Sequence, residues 1–514
     1  MFPRHFHKSE TSIWNYAAKQ LTFKKETDSV SGSPTAEAAK SSSEDISRGG
    51  IPEMRNEYPL TAAQNMHYQW IREYKTQQVS GVSSVASLKS EIDFGLLKKC
   101  IQLEYQRYGC MRLRFTKPDA DGNIRQYLAE KETRDIPFKD LSGMTLDQAD
   151  DLMQSWAYET LDGDDRPMCD ITMVKLPEGY NGFFIHMDHR LIDSCGLVVL
   201  VNDLMKLYTH YRFGSQYPED LADFETVLAN DLKKATNEKR FAKDKKFWDD
   251  QLDALGEPLY SDIQGPSVLE AARKKHQNEN LRSADIEREN LFVAVRDYIL
   301  EPAPTKGLIA FCMNHQISMT NLLLLSIRTY LSKVNNGQED ITIENFISRR
   351  STHDEWTSGG SRTIMFPCRT VIPAEMDFLS AAYEIQNVQN RIYMHSNYDP
   401  ALIREEMKRR YHTPDNTTYE SCYLTYQPMP VRMDNPYLAN IPVHSKWFAN
   451  GAATKKMYLT VSHTADQGTN FSYHYQTASL NEKDVELMYY YMMRILFRGI
   501  SEPDIRIGDL MDQV

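Results

Sequence analysis

The sequence predicts an α/β protein made of two sandwich-like lobes, in each of which helices cover a sheet. Segments that alternate apolar and polar residues, as strands do, interleave with segments whose apolar residues recur every three to four positions, as helices do. The chain has 514 residues, which is too long for one ordinary hydrophobic core. Both halves of the sequence contain similar successions of helix-like and strand-like segments, so two related lobes are expected.

The first lobe is predicted to span residues 56–225. Helical periodicity covers residues 62–74, 94–108 and 141–161. Strand-like alternation covers residues 82–88, 111–115, 169–176 and 183–187. A Pro-Glu-Gly turn at residues 177–179 separates the last two segments, so these two strands are expected to pair.

A charged helical stretch, residues 226–254, is predicted to connect the first lobe to a second lobe at residues 255–514. In the second lobe, helical periodicity covers residues 304–314, 320–334, 378–397 and 481–497. Strand-like alternation covers residues 340–347, 364–372, 421–426, 456–462 and 470–476.

Residues 1–55 differ from the rest of the chain. They are rich in Ser, Gly, Ala and charged residues from position 27 onward, which predicts a flexible N-terminal extension. A short amphipathic helix is possible at residues 12–23. It could dock a partner, or it could pack loosely on the body of the protein.

Composition excludes several classes of protein. The formal net charge of −12 argues against a general nucleic-acid binder, which needs a basic face. The seven cysteines include no CxxC pair, so reduced thiols in the cytosol are expected. The N-terminus lacks the apolar core of a signal peptide, and no run has the length of a membrane-spanning helix. We expect a soluble cytoplasmic protein without membrane insertion.

The stretch at residues 182–196 carries the candidate chemistry. A short apolar run leads to His189, a polar turn reaches Asp193, and an apolar helical pattern follows Gly196. This succession of strand, loop and helix presents an imidazole that can transfer protons, although a buried structural histidine is the other interpretation. His186, His189 and Asp193 could also be interpreted as ligands of a metal ion. Strand positions three apart face opposite sides, however, so no metal site is expected.

The sequence from His189 to Asp193 resembles the second half of HHxxxDG, a signature of condensation domains from nonribosomal peptide synthetases. Its HxxxD core is shared by the wider superfamily of chloramphenicol acetyltransferase-like acyltransferases. Four further matches follow the order of the family's motifs: residues 58–64 resemble LSxAQ, 107–115 RHEALRTRF, 247–252 YWxxQL and 362–369 FVNTLPLR. Residues 348–350 are similar to the end of GxxxSGR. The chain is identified as a divergent member of this family from about residue 56 onward.

The resemblance implies two chloramphenicol acetyltransferase-like lobes in a V-shaped pseudo-dimer with a channel between them. It also implies that an amine or hydroxyl attacks a thioester, which arrives on a phosphopantetheine arm or as CoA, with no bound metal or redox cofactor. By the same resemblance, His189 is the catalytic histidine. Asp193 is a structural aspartate that pairs with a buried arginine, for which we choose Arg112 over Arg107.

Three positions depart from the family pattern. Asp188 replaces the first His of the motif and is expected to face away from His189, although it remains a possible channel residue. Ser194 stands where the motif has glycine, and with Gly196 it is a candidate for turn or oxyanion amides. The motif's Asn-Thr pair is replaced by Met-Phe at residues 365–366, which changes the channel wall.

The resemblance also points to residues that line the channel. Tyr423, Tyr426 and Gln427 match the family's channel strand, and Ser348 lies in the GxxxSGR-like segment. Packing of aromatic side chains within the sheet is the other interpretation of the two tyrosines.

No adenylation or thiolation segment fits within the length, so an acyl or peptidyl carrier protein is expected to act in trans on a free-standing monomer. The acceptor is expected to be a small amine or alcohol. The basic residues at 233–246 fit a solvated helix face, or else a docking patch for an acidic carrier. The alternative function is a catalytically silent domain that recruits carriers or tailoring enzymes. The presence of His189 together with Asp193 favours the enzyme.

Overall fold

The computed structural model describes residues 55–161, 163–427, 436–464 and 466–514. The predicted N-terminal extension, residues 1–55, lies outside the described residues except for Arg55. Two large sheets with helices packed on them dominate the fold. The predicted α/β class is therefore confirmed.

Helices and strands alternate along most of the chain. The helices are α1 (Ala62–Tyr74), α2 (Phe94–Arg107), α3 (Leu146–Trp156), α4 (Ser194–Phe213), α5 (Phe224–Ala235), α6 (Glu238–Leu255), α7 (Ser267–Lys275), α8 (Pro302–His315), α9 (Met319–Val334), α10 (His353–Thr357), α11 (Phe378–Met394), α12 (Pro400–Tyr411), α13 (Glu482–Ser501) and α14 (Ile507–Gln513). The strands are β1 (Tyr58–Pro59), β2 (Gly81–Lys89), β3 (Leu113–Phe115), β4 (Arg125–Leu128), β5 (Phe138–Asp140), β6 (Cys169–Lys175), β7 (Tyr180–Asp188), β8 (Ala284–Asp285), β9 (Val293–Leu300), β10 (Asp340–Ser348), β11 (Thr363–Val371), β12 (Thr417–Thr418), β13 (Cys422–Gln427), β14 (Val443–Phe448), β15 (Met457–His463) and β16 (Thr469–Gln476).

The first sheet has five strands in the order β14-β2-β7-β6-β5. Its central strand, β7, pairs antiparallel with β2 on one side and with β6 on the other, which confirms the predicted pairing across the turn at 177–179. A Cβ atom at Gly182 would collide with the carbonyl oxygen of Ala86, so only glycine lets β2 and β7 approach this closely. The sheet therefore holds β7 firmly on both edges.

Strand β14 shows that the two halves of the chain are interlocked. It belongs to the second half of the sequence, yet it pairs antiparallel with β2 of the first sheet, from Val443 opposite Leu88 to Phe448 opposite Ser83. The other four strands of the first sheet lie before residue 255, and all six strands of the second sheet lie after it. The boundary between lobes at residue 255 stays a prediction. Pairing between strands this distant in sequence leaves no local pattern, so periodicity alone does not predict it.

The second sheet has six strands in the order β11-β10-β13-β15-β16-β9. Its side chains alternate between two faces, as strand geometry requires. One face packs on helices α9, α11 and α13, and Leu424, Leu459 and Phe471 are fully buried there with Leu323 and Met488. The opposite face carries Tyr423, whose ring centroid lies 5.0 Å from the ammonium of Lys455. The same ammonium lies 4.2 Å from the ring centroid of Trp70 in α1, so this face is close to the first half of the chain.

Several elements differ from the sequence prediction. The predicted strand at 111–115 begins with a 3-10 turn, Gly109–Arg112, and only Leu113–Phe115 is extended. The predicted connecting helix is two helices, because Asn237 caps the start of α6 with its side chain. Strand β9 was not predicted because its apolar residues are consecutive and do not alternate with polar ones. The charged helices α7 and α12 were not predicted because their apolar residues are too few to produce a clear period.

Within the described part of the chain, no single helix is both long enough and apolar enough to cross a membrane. Helices α8 and α9 reach that combination only when they are taken together, and a bend of 108° separates them.

Candidate active site

His189 lies just beyond the end of β7, in the turn that leads into α4. Its backbone N–H donates to the carbonyl oxygen of Ser80 over 2.6 Å, which ties the turn to the segment before β2. The residue is partly exposed, although its Nδ1 atom is buried. A firmly held backbone and partial access for a substrate are what a proton-transfer residue requires.

Burial favours the neutral form of the His189 ring. Burial lowers the pKa of His189 below its ordinary value, and the nearby carboxylates of Asp193 and Asp188 offset this only in part. At neutral pH the imidazole is therefore in the form that accepts a proton. The site can act as a general base without further activation.

Aromatic contacts place His189 where the two halves of the molecule meet. The ring of His67, from α1, stacks on it with centroids 4.0 Å apart and planes 17° apart. Trp70, one turn further along α1, contacts the edge of His67 at 4.9 Å between centroids. The ammonium of Lys455, which precedes β15 of the second sheet, lies 4.2 Å from the Trp70 ring centroid. These contacts form a continuous path from His189 to the second sheet.

Asp193 is the N-cap of α4 and joins both halves of the chain. One carboxylate oxygen accepts from the backbone N–H of Gly196 at 3.0 Å, inside the first half. From the second half it accepts from the two terminal nitrogens of Arg350 at 2.7 and 2.8 Å, from the Arg362 N–H at 2.9 Å, and from the Thr363 N–H and Oγ1 at 3.0 and 2.9 Å. Although burial opposes it, this set of donors holds the pKa of Asp193 far below its usual range.

The partner of Asp193 is Arg350, so the prediction of Arg112 is wrong. Arg112 instead donates from Nη1 to the carbonyl oxygen of Ala129 at 2.9 Å. Its position at the end of a 3-10 turn directs the side chain toward β4 rather than toward the start of α4. Arg107, the other candidate, pairs with Asp203 at 3.1 Å. The signal that could have found Arg350 was the GxxxSGR-like segment at residues 348–350.

Replacement of Arg112 by Met is expected to lower stability modestly and to leave the contribution of Asp193 to stability unchanged. The substitution removes one hydrogen bond from a charged donor, which is worth about 1.5–3 kcal/mol of unfolding free energy. Urea denaturation of Arg112→Met, Asp193→Ala and the double variant checks this, because the effects should add within about 0.5 kcal/mol. A larger coupling would mean that Arg112 does support Asp193.

The backbone groups of Gly196 stabilise the turn that follows Asp193. The N–H of Gly196 is already donated to Asp193, so the candidate oxyanion role of this amide is wrong and its turn role fits. Its carbonyl oxygen accepts from the Tyr108 hydroxyl at 2.9 Å, and a Cβ here would lie 2.7 Å from Cγ1 of Ile192. Ser194 is the first residue of α4 and is partly exposed, and its oxyanion role stays a prediction.

Asp188 does not line a channel, because its carboxylate is fully engaged. It pairs with the side chain of Arg190 through two bonds of 2.9 Å and accepts from Ser80 Oγ at 3.0 Å. Both partners of the ion pair are 3% exposed. The residue therefore braces the turn that carries His189, and its predicted place among possible channel residues is wrong.

The ring of His186 lies inside the first sheet. Its Nδ1 lies 2.7 Å from Ser83 Oγ on the neighbouring strand, inside the first sheet. Among the described residues, no three His, Cys, Asp or Glu side chains are grouped so that they could hold a metal ion.

Tyr426 packs inside the second half of the molecule, so its predicted place in the channel is wrong. Its hydroxyl lies 2.7 Å from Nε2 of His463. It projects on the same side of β13 as Leu424, which is fully buried under the helices. Tyr426 and Gln427 are neighbours in one strand and face opposite sides, so both cannot line the same channel wall.

Tyr423 and Gln427 project from the other side of β13, which turns toward the first half. The Tyr423 ring centroid lies 5.0 Å from the Lys455 ammonium, on the path that leads back to His189. Gln427 is partly exposed on the same face, and Ser348 is exposed and accepts from Nη1 of Arg350 at 3.1 Å. The channel roles of Gln427 and Ser348 stay predictions.

Sequence reasoning missed three residues that surround the site, His67, Trp70 and Lys455. The first two were assigned only as part of a predicted helix, whose period does not distinguish an active-site face from a core face. Lys455 lies in a loop without any motif. Only the spatial arrangement brings them together.

One protein-family model matches most of the chain. The family model described as "Condensation domain" matches residues 54–512. Surfactin synthase subunit 1 of Bacillus subtilis (strain 168) is 22% identical over 465 residues, which are 88% of this chain and 12% of that protein. Tyrocidine synthase 3 of Brevibacillus parabrevis is 26% identical over 195 residues, which are 37% of this chain and 3% of that protein. The chain thus spans less than a fifth of the length of these curated relatives.

Solved structures show the same fold. The first condensation domain of the calcium-dependent antibiotic synthetase, in complex with a substrate analogue, matches with a TM-score of 0.71 and 14% identity, over 88% of this chain and 99% of that chain. A variant of the starter condensation domain of rhizomide synthetase RzmA, in complex with C8-CoA, matches with a TM-score of 0.72 and 15% identity, over 88% and 96%. VibH, a condensation enzyme of nonribosomal peptide synthesis, matches with a TM-score of 0.66 and 15% identity, over 87% and 98%.

Proposed function

The chain belongs to the condensation-domain family, and on this premise we propose that it joins an acyl or aminoacyl thioester to an amine or hydroxyl acceptor. The observation that carries the proposal is His189, a partly exposed residue with a neutral imidazole, at the meeting of the two halves of the molecule. The product is an amide or an ester, and the released group is a thiol.

His189 is proposed to act as the general base. As the acceptor nitrogen or oxygen bonds to the thioester carbon, its proton passes to the imidazole. The tetrahedral intermediate then collapses, the carbon–sulfur bond breaks, and the thiolate takes the proton back from the imidazolium. A positioned base of this kind contributes about 10²- to 10⁴-fold to the rate. Alignment of the two reactants contributes further to the rate.

Asp193 and Arg350 are proposed to hold the site together rather than to contact the substrates. Their ion pair joins the turn after His189 to the second sheet, and both side chains are at most 1% exposed. The position of His189 relative to the side of β13 that carries Tyr423 therefore depends on this ion pair. A misplacement of about 1 Å in such a site costs about 100-fold in rate.

The donor is proposed to be a phosphopantetheine thioester on a carrier protein, or an acyl-CoA, either of which enters as substrate. The RzmA variant that shares this fold is in complex with C8-CoA, which supports the second form. The expected cytoplasmic location and monomeric state stay predictions.

Incubation of the protein with acyl thioesters and a panel of amines and alcohols tests the proposal. Each acyl group is presented both on phosphopantetheinylated carrier protein and on CoA, and products are identified by mass spectrometry. We expect an amide or ester that forms faster than without protein, with one donor form preferred. Stable binding of a carrier protein without any product would instead favour the silent recruitment domain.

A further inference from the structure

His67 is buried without any hydrogen bond, although it touches the proposed catalytic base. The residue is 2% exposed, and within the described residues neither ring nitrogen has a hydrogen-bond partner. An imidazole buried in this way costs free energy that an apolar side chain of similar size would not. Because neither nitrogen makes a hydrogen bond, His67 can act on His189 only through the face of its ring.

The contact between the two rings is specific. The planes are 17° from parallel and the centroids are 4.0 Å apart, so His67 meets His189 through its face. Trp70 packs against the His67 ring in an edge contact, with the two ring planes 86° apart. Because both nitrogens of His67 are buried, the ring has no free edge that could pass a proton to a substrate.

His67 itself remains uncharged. Burial lowers its pKa well below the ordinary value, and the charges of His189, Arg190 and Lys455 act in the same direction. A neutral aromatic ring attracts a cation placed over its face. Such a cation arises on His189 each time it accepts a proton from the acceptor.

We propose that His67 is a positioning residue, whose neutral ring fixes the plane of His189 and stabilises the imidazolium that forms on it during acyl transfer. The second part of this role rests on the proposed function. The stacked geometry, the enclosed nitrogens and the edge contact with Trp70 all favour action through His189 rather than on the substrate. The charged groups that face the pair, Asp188 and Asp193 beside His189 and Arg190 and Lys455 beside His67, are unchanged in the variants below.

Two variants separate the ring from its polarity. His67→Phe keeps a flat ring, whereas His67→Leu removes it and leaves an apolar side chain. Histidine labelled with ¹³C gives a signal for each of the 14 histidines, and the His189 signal is identified by its absence in His189→Ala. Titration without substrate then measures the pKa of His189 in each variant, whatever reaction the protein catalyses.

We expect His189 to titrate at a lower pH in His67→Leu than in the natural protein, and at a similar pH in His67→Phe. In the transfer assay, kcat should fall about three- to tenfold in His67→Leu with little change in KM, and His67→Phe should restore it. If the two variants titrate and turn over alike, His67 only fills space and the proposal is wrong. A shifted titration without any transferase activity would leave the positioning role intact and refute the proposed function instead.

Discussion

Replacement of Asp193 by Ala is expected to lower the unfolding free energy by about 3–5 kcal/mol, because it leaves an arginine buried without its counter-charge. The side chain of Arg350 is 0% exposed, and both of its terminal nitrogens donate to this carboxylate. The backbone N–H groups of Arg362 and Thr363 lose their acceptor as well. Urea denaturation at pH 7 measures the loss, and an unchanged midpoint would contradict the role of Asp193.

A second substitution shows whether the loss of stability comes from a buried charge without its counter-charge or from general disruption of the packing. Adding Arg350→Met to Asp193→Ala removes the buried cation, so the double variant should be more stable than the sum of the two single effects predicts. Arg112→Met provides the matched control, since Arg112 donates to Ala129 and not to Asp193. Strict additivity with Arg350→Met would show that the ion pair contributes little.

The same carboxylate makes stability depend on pH. The pKa of Asp193 is depressed in the folded protein, so the folded state binds fewer protons than the unfolded state as the pH falls below about 4. Its contribution is therefore fully present at neutral pH and is lost progressively in acid. In Asp193→Asn this part of the acid dependence should disappear.

Elements with a strong local period could be predicted from the sequence. The helix at residues 62–74 was predicted with the bounds that α1 has, and the pairing of β6 with β7 followed from alternation and a turn signal. β14 could not be predicted in this way, because its partner β2 lies more than 350 residues away in sequence. Local patterns specify elements, whereas the interlocking of the two halves is set by contacts between distant residues.

The candidate site shows the same division. His189 and Asp193 lie four residues apart, so one local motif could identify both. Arg350 lies 157 residues from Asp193, whereas the two arginines that the sequence analysis considered, Arg112 and Arg107, lie in a different motif. His67 gave no signal at all, because a histidine in a helix does not reveal which ring it will face.

Replacement of His189 by Ala is expected to lower kcat for acyl transfer by about 10²- to 10⁴-fold, with the fold preserved. His189 accepts no structural hydrogen bond through Nδ1 within the described residues, so its loss should cost little stability. His186→Ala is the matched control: it removes an imidazole three residues earlier that contacts Ser83 inside the sheet. Product formation measured by mass spectrometry should be nearly unchanged in that control.

The pH dependence gives the sharper test of His189. Burial lowers its pKa below the ordinary value of about 6.5, so the neutral, active form persists to a lower pH than for a free imidazole. The transfer rate should therefore remain high through pH 6.5 and fall only as the pH drops through the lowered pKa. In His189→Ala the residual rate should lack this acid limb. If the natural protein and His189→Ala have equal rates and parallel pH profiles, another group accepts the proton. Lys455 would then be the next residue to replace, because burial lowers its pKa to about 8.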